Sequence, residues 1–165
     1  MKVLVAYMSV TGNTKKVAEA IFKEIQEEKE IKELEEVENL EGYDVAFVGF
    51  PVHGFGPPED VKEFLDKYAQ GKNLALFITH AMPQSMEMLE GILVKCNEPA
   101  CEANLLGTFD CQGELDESLA QKLLKHPDPK MQKFGAMREM TLGHPDANEI
   151  ESAQLFTKEI MEKVR

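Results

Sequence analysis

Apolar residues along this chain fall into short unbroken runs, separated by stretches that are apolar on one face only. The first run, Val3, Leu4, Val5, Ala6 and Tyr7, is too short for a helix and rich in strand formers. Similar runs at 45–50 and 74–79 predict two more buried strands, the first enclosed on both faces as a central parallel strand is, and 105–109 reads as the last strand. Between them, spacings of three and four mark helices: Val17, Ala18, Ile21, Phe22 and Ile25; Val61, Phe64, Leu65 and Tyr68; Met86, Leu89, Leu93 and Cys96. Residues 24–41 are dominated by glutamate, the pattern of a solvated face, and a short edge strand is expected somewhere in 31–37, where Ile31, Leu34 and Val37 show through. Beyond residue 113 the pattern is helical throughout. Leu115, Leu119 and Leu123 are followed by Met131, Phe134 and Met137, and then by a closing helix with Ile150, Ala153, Phe156, Ile160 and Val164. His-Pro-Asp occurs at 126–128 and 144–146, each time where a helix should begin, so Asp128 and Asp146 read as caps. The expected order is β-α-β-β-α-β-α-β-α, which gives a doubly wound α/β sheet in one domain spanning 1–165.

In such sheets ligands sit beyond the carboxyl ends of the strands. Three loops leave that edge. The first, Ser9, Val10, Thr11, Gly12, Asn13 and Thr14, joins a strand to a helix and is rich in hydroxyl and amide groups. The first amides of a helix have no internal partners and its dipole favours negative charge, so this loop is expected to hold a phosphate. It lacks Gly-x-x-x-x-Gly-Lys-Ser/Thr, which excludes a triphosphate cradle, and Gly-x-Gly-x-x-Gly, which disfavours a dinucleotide. The second loop, Pro51, Val52, His53, Gly54, Phe55 and Gly56, and the third, Thr79, His80, Ala81 and Met82, carry groups able to cover a flat aromatic ligand. Cys111 and Gln112 leave the same edge and are candidates for the pocket mouth.

The pattern Tyr7-x-Ser9-x-x-Gly12-x-Thr14-x-x-x-Ala18-x-x-Ile21, with Asn13 inside it, resembles the phosphate-loop signature of the flavodoxin family. The turn Cys111-Gln112-Gly113 and the later His144-Pro145-Asp146 resemble a branch of small prokaryotic flavodoxin-like proteins. The resemblance implies a five-stranded parallel sheet of order 2-1-3-4-5 in an α/β/α sandwich, with FMN at its carboxyl edge. It implies that residues 9–14 hold the FMN phosphate and that the second and third loops cover the ring. It also implies that Gly54 or Gly56 can turn a carbonyl towards the flavin. Many family members cover the ring with Trp; this chain has none, which leaves His53 or Phe55 on one side and residues 80–82 on the other.

The net charge of −12 argues against nucleic acid and anionic membranes and suits basic protein partners. Glu59, Asp60, Glu63, Glu87, Asp110 and Glu114 are expected to disfavour negative charge on a bound flavin. No apolar run approaches the roughly 18 residues of a membrane span, and no signal peptide is visible, so a cytoplasmic location is expected. Three scattered cysteines read as reduced thiols, and no metal site or catalytic residue is assigned. The expected function is electron transfer between redox partner proteins by an FMN-binding monomer or weak dimer. An FMN-dependent NAD(P)H:acceptor oxidoreductase of quinone type, or an accessory subunit of a reductase, is the alternative.

Overall fold

A computed structural model describes residues 1–165. The elements run β1 (Lys2–Tyr7), α1 (Asn13–Glu24), β2 (Glu28–Glu33), β3 (Val45–Pro51), α2 (Glu59–Tyr68), β4 (Asn73–His80), α3 (Met88–Asn97), β5 (Asn104–Gln112), α4 (Glu117–Leu124), α5 (Pro129–Ala136), α6 (Arg138–Thr141) and α7 (Ala147–Val164). The strands form one parallel sheet of order β2-β1-β3-β4-β5, as expected.

Strand periodicity divides the core cleanly. Leu4, Ala6, Val48, Phe50, Leu76 and Ile78 face α2 and α3, packing on Val61, Phe64, Leu65, Leu89 and Ile92. Val3, Val5, Phe47, Ala75 and Phe77 face α1 and α7, packing on Val17, Ile21, Ala153 and Ile160. Alternate residues of one strand thus serve opposite layers, which is why these strands read as continuous apolar runs. Gly49 of β3 has a packing reason: a Cβ there would fall inside the ring of Phe77.

The edge strand differs from expectation. It lies at Glu28–Glu33, earlier than residues 31–37, and Leu34 and Val37 belong to a 3₁₀ turn and the connection after it. Only its inner edge is paired, and backbone pairing with β1 plus ion pairs hold it. Glu30 bonds Lys2, Lys32 and the Tyr43 hydroxyl at 2.6–2.7 Å. The third helix starts at Met88, leaving Met86 in the loop before it, and β5 extends to Gln112. Both Asp caps are present, Asp128 accepting from the Lys130 amide and Asp146 from that of Glu149.

Candidate functional site

The β1–α1 loop turns at Gly12, whose φ of +97° lies in the left-handed region where only glycine is unstrained. The Ser9 hydroxyl accepts from the amides of Gly12 and Lys15 and so holds the turn from inside. The amides of Thr11, Asn13 and Thr14 donate to no protein atom. They lie at the start of α1, where a helix leaves its donors free for an anion.

Two side chains expected to add donors are used elsewhere. The Thr14 hydroxyl is buried and shares a 2.8 Å hydrogen bond with that of Thr79, tying the loop to the end of β4. Asn13 Nδ2 donates to the Glu114 carbonyl at 2.9 Å, and Asn13 lies so close to Gly113 that a Cβ there would meet its Nδ2 at 2.6 Å. The donors this turn leaves free are therefore backbone amides, with the Thr14 hydroxyl and the Asn13 amide facing inward. A hollow on the far side of Ser9 is lined by Glu33, Glu35 and Asp60, which makes it unsuitable for phosphate.

The second loop closes as a tight turn. His53 and Gly56 exchange amide–carbonyl bonds at 2.9 and 3.1 Å, with Gly54 and Phe55 at φ +55° and +64°. Positive φ at both central positions is costly for Phe55. The cost is offset by packing, since the Phe55 ring lies 5.8 Å from that of Phe134 on α5. The third loop places His80 at the end of β4, with its side chain fully buried and Nε2 2.9 Å from Asp110 Oδ2. Gln84 Nε2 donates to the same oxygen at 2.8 Å. Burial opposes ionisation of Asp110, but the bonds from His80 and Gln84 outweigh it and hold the carboxyl below its ordinary value.

Val52, Gly54, Phe55, His80, Ala81 and Met82 meet around a chamber of about 260 Å³. Its other wall is Leu115 together with the α4–α5 hairpin, which contributes Leu119, Leu123, Met131, Phe134 and Met137. His53 is exposed and lies outside the chamber, Pro51 and Gly56 do not line it, and Thr79 is buried beneath it against Thr14. Cys111 does not reach the pocket mouth. It is buried in the α1/α7 core, and burial pushes its thiol well above the ordinary range, which leaves it inert. Gln112 instead donates from Nε2 to the Ala81 carbonyl at 3.1 Å. The hairpin residues were visible as apolar helical spacings but were not assigned to the site. Their signal was surplus: α1, α2, α3 and α7 already cover the sheet, so a further apolar helix pair must cover something else.

A second hollow of about 810 Å³ adjoins the chamber, sharing Phe55, Met131, Phe134 and Met137 with it. Lys130 and Lys133 stand on its rim beside Glu87.

Comparison with known proteins agrees with this fold. A flavodoxin domain model matches residues 4–158. The flavodoxin-like domain-containing protein BilS of Clostridioides difficile (strain CD3) is 37% identical over 179 residues, covering 99% of this chain and 98% of that protein. A flavodoxin from the domain Archaea superposes with a TM-score of 0.63 at 19% identity over 99% of both chains. A flavoprotein from Lactobacillus acidophilus NCFM, solved in complex with FMN, gives a TM-score of 0.53 at 24% identity over 73% of this chain and 97% of that one.

Proposed function

The chain belongs to the flavodoxin family, and on that premise we propose that it binds FMN at the carboxyl edge of its sheet and carries electrons between redox partner proteins. The observation that carries this reading is the pairing on one edge of an amide-lined turn and an apolar chamber, joined through the Thr14–Thr79 hydrogen bond. The residues present fit the cofactor: free amides at 11, 13 and 14 suit a terminal phosphate, and Val52, Phe55, Met82 and the hairpin suit a flat ring.

Bound FMN supplies the electron-transfer chemistry itself. The free amides of Thr11, Asn13 and Thr14 would hold the phosphate through backbone dipoles. The chamber walls exclude water from the ring. The Gly56 carbonyl is already taken by the His53 amide, whereas that of Gly54 accepts no protein hydrogen bond and is free to meet a ring N–H. The net charge of −12 opposes further negative charge at the site, lowering the potential of the second reduction, and steers basic partner proteins.

The test is direct. Purified protein should take up FMN and turn yellow, accept electrons from a separate reductase, and oxidise NADH or NADPH only slowly alone. A colourless protein that refuses FMN would sink the cofactor assignment. Rapid pyridine-nucleotide turnover without a reductase would favour the second reading, an FMN-dependent NAD(P)H:acceptor oxidoreductase of quinone type. That reading draws on the 810 Å³ hollow beside the chamber, which has room for a second flat ligand.

A further inference from the structure

Charge is distributed unevenly along this acidic chain. Residues 122–138 hold Lys122, Lys125, Lys130, Lys133 and Arg138 against one carboxylate, Asp128, a surplus of four positive charges. The whole chain stands at −12, which leaves −16 for the rest. The basic stretch runs from the end of α4 through α5. Asp128 is engaged in capping α5, and Arg138 lies 3.5 Å from Glu114. The four lysines form no ion pair. Lys130 and Lys133, three apart on one face of α5, stand on the rim of the 810 Å³ hollow. Glu87 shares the rim without pairing to either, so the edge is net positive.

We propose that this hollow, between α5 and the start of α3, is a second binding site, for a small apolar molecule that ends in a carboxylate. Its volume falls in the range of small-molecule sites. Apart from the three charged residues its lining is apolar, and four of the chain's nine methionines are there: Met86, Met88, Met131 and Met137. Methionine is flexible and polarisable, so such walls adapt to an apolar body rather than dictate its shape. Met88 is 44% exposed, apolar surface that an occupant would cover. The two ammonium groups select the anionic end. Elsewhere the acidic surface repels anions and is what basic proteins would meet. The site does not depend on the FMN reading, although the hollow and the chamber share Phe55, Met131, Phe134 and Met137. An occupant would therefore press on side chains that also wall the chamber.

Calorimetric titration in excess FMN tests this with two probes, pyrenebutyrate and its uncharged amide, which share the ring and the chain. Pyrenebutyrate should bind at one site per chain, with a Kd about fivefold below that of the amide, the order that two exposed charge pairs supply. The advantage should shrink as sodium chloride is raised. In the double variant Lys130→Gln/Lys133→Gln the two Kd values should converge, with that of the amide unchanged. Both lysines are exposed, and surface substitutions of this kind cost little stability. Equal affinity for both probes, or a preference that survives both substitutions, overturns the proposal. So does displacement of the probe by FMN, which would put it in the chamber. Refusal of both probes with binding to phosphatidylglycerol vesicles assigns the face to a membrane. Refusal with self-association that the double variant abolishes assigns it to a second copy of the chain. Either result overturns the proposal. A protein that takes up no FMN yet keeps the carboxylate preference overturns the FMN reading and leaves this site standing.

Discussion

Two glycines show how a missing side chain can have opposite meanings. Gly12 has open space around it but a φ of +97°, so any substitution is strained by conformation alone. Gly12→Ala should leave the fold intact and raise the FMN Kd by about tenfold, for a strain of about 1–2 kcal/mol; fluorescence titration measures this, and unchanged affinity would displace the phosphate from this turn. Gly49 has ordinary backbone angles but no room, because Phe77 occupies its Cβ position. Gly49→Ala should cost about 1–3 kcal/mol of stability through overpacking, read as a lower denaturation midpoint. A flavin effect no larger than this stability loss explains would mark it as a core position. The first of these roles was legible in the sequence, since the hydroxyl-rich loop demanded a turn. The second was not, because nothing local records which ring crosses a neighbouring strand. The histidines follow the same rule. His53 and His80 look alike as loop residues after a strand, but one is exposed and the other is buried on Asp110, thirty positions away in the chain.

At the scale of elements, legibility follows burial. β1, β3 and β4 are enclosed on both faces and were readable as apolar runs, whereas β2, with the sequence Glu28-Lys29-Glu30-Ile31-Lys32-Glu33, is half-buried at most along its inner residues and carries one apolar residue. Beyond its backbone pairing with β1, its side-chain anchor is electrostatic. Hydrogen bonds from Lys2, Lys32 and Tyr43 hold Glu30 down at about 2. A carboxyl depressed by folding contributes stability above its unfolded value near 4.5 and loses that contribution as pH falls towards the folded value. Acid titration followed by amide exchange should therefore loosen β2 between about pH 4.5 and 2, and Glu30→Gln should flatten that dependence. The α4–α5 hairpin rests on a close approach at Gly135, where a Cβ would lie 2.7 Å from the Ala120 carbonyl. Gly135→Ala should pry the two helices apart and weaken flavin binding more than it lowers the denaturation midpoint. Equal losses in both would show that the hairpin supports the fold rather than the chamber.

Across the whole molecule the three candidate loops leave one edge of the sheet, and charged residues such as Asp60, Glu87 and Asp110 stand beside them. The strand order and the α/β/α layering were legible because they follow from alternation of element types and from the family pattern at residues 7–21. The closure of the chamber was not, because it depends on where a helix pair far along the chain comes to rest. No helix is long and apolar enough to cross a membrane. With a net charge of −12, association with a basic electron donor or acceptor should slow steeply as ionic strength rises. Stopped-flow rates that ignore salt would argue against electrostatic docking.

The hairpin has one further property. Every hydrogen bond made by residues 117–136 stays within 116–137, so its grip on the strand loops comes from apolar side chains alone. Swinging it aside breaks no hydrogen bond to the body, and the segment can open while the sheet stays shut. Such a contact loosens on cooling, because apolar burial is entropy-driven near room temperature. The protein should release and recapture its ring more readily in the cold, by a hinge that leaves the phosphate turn untouched.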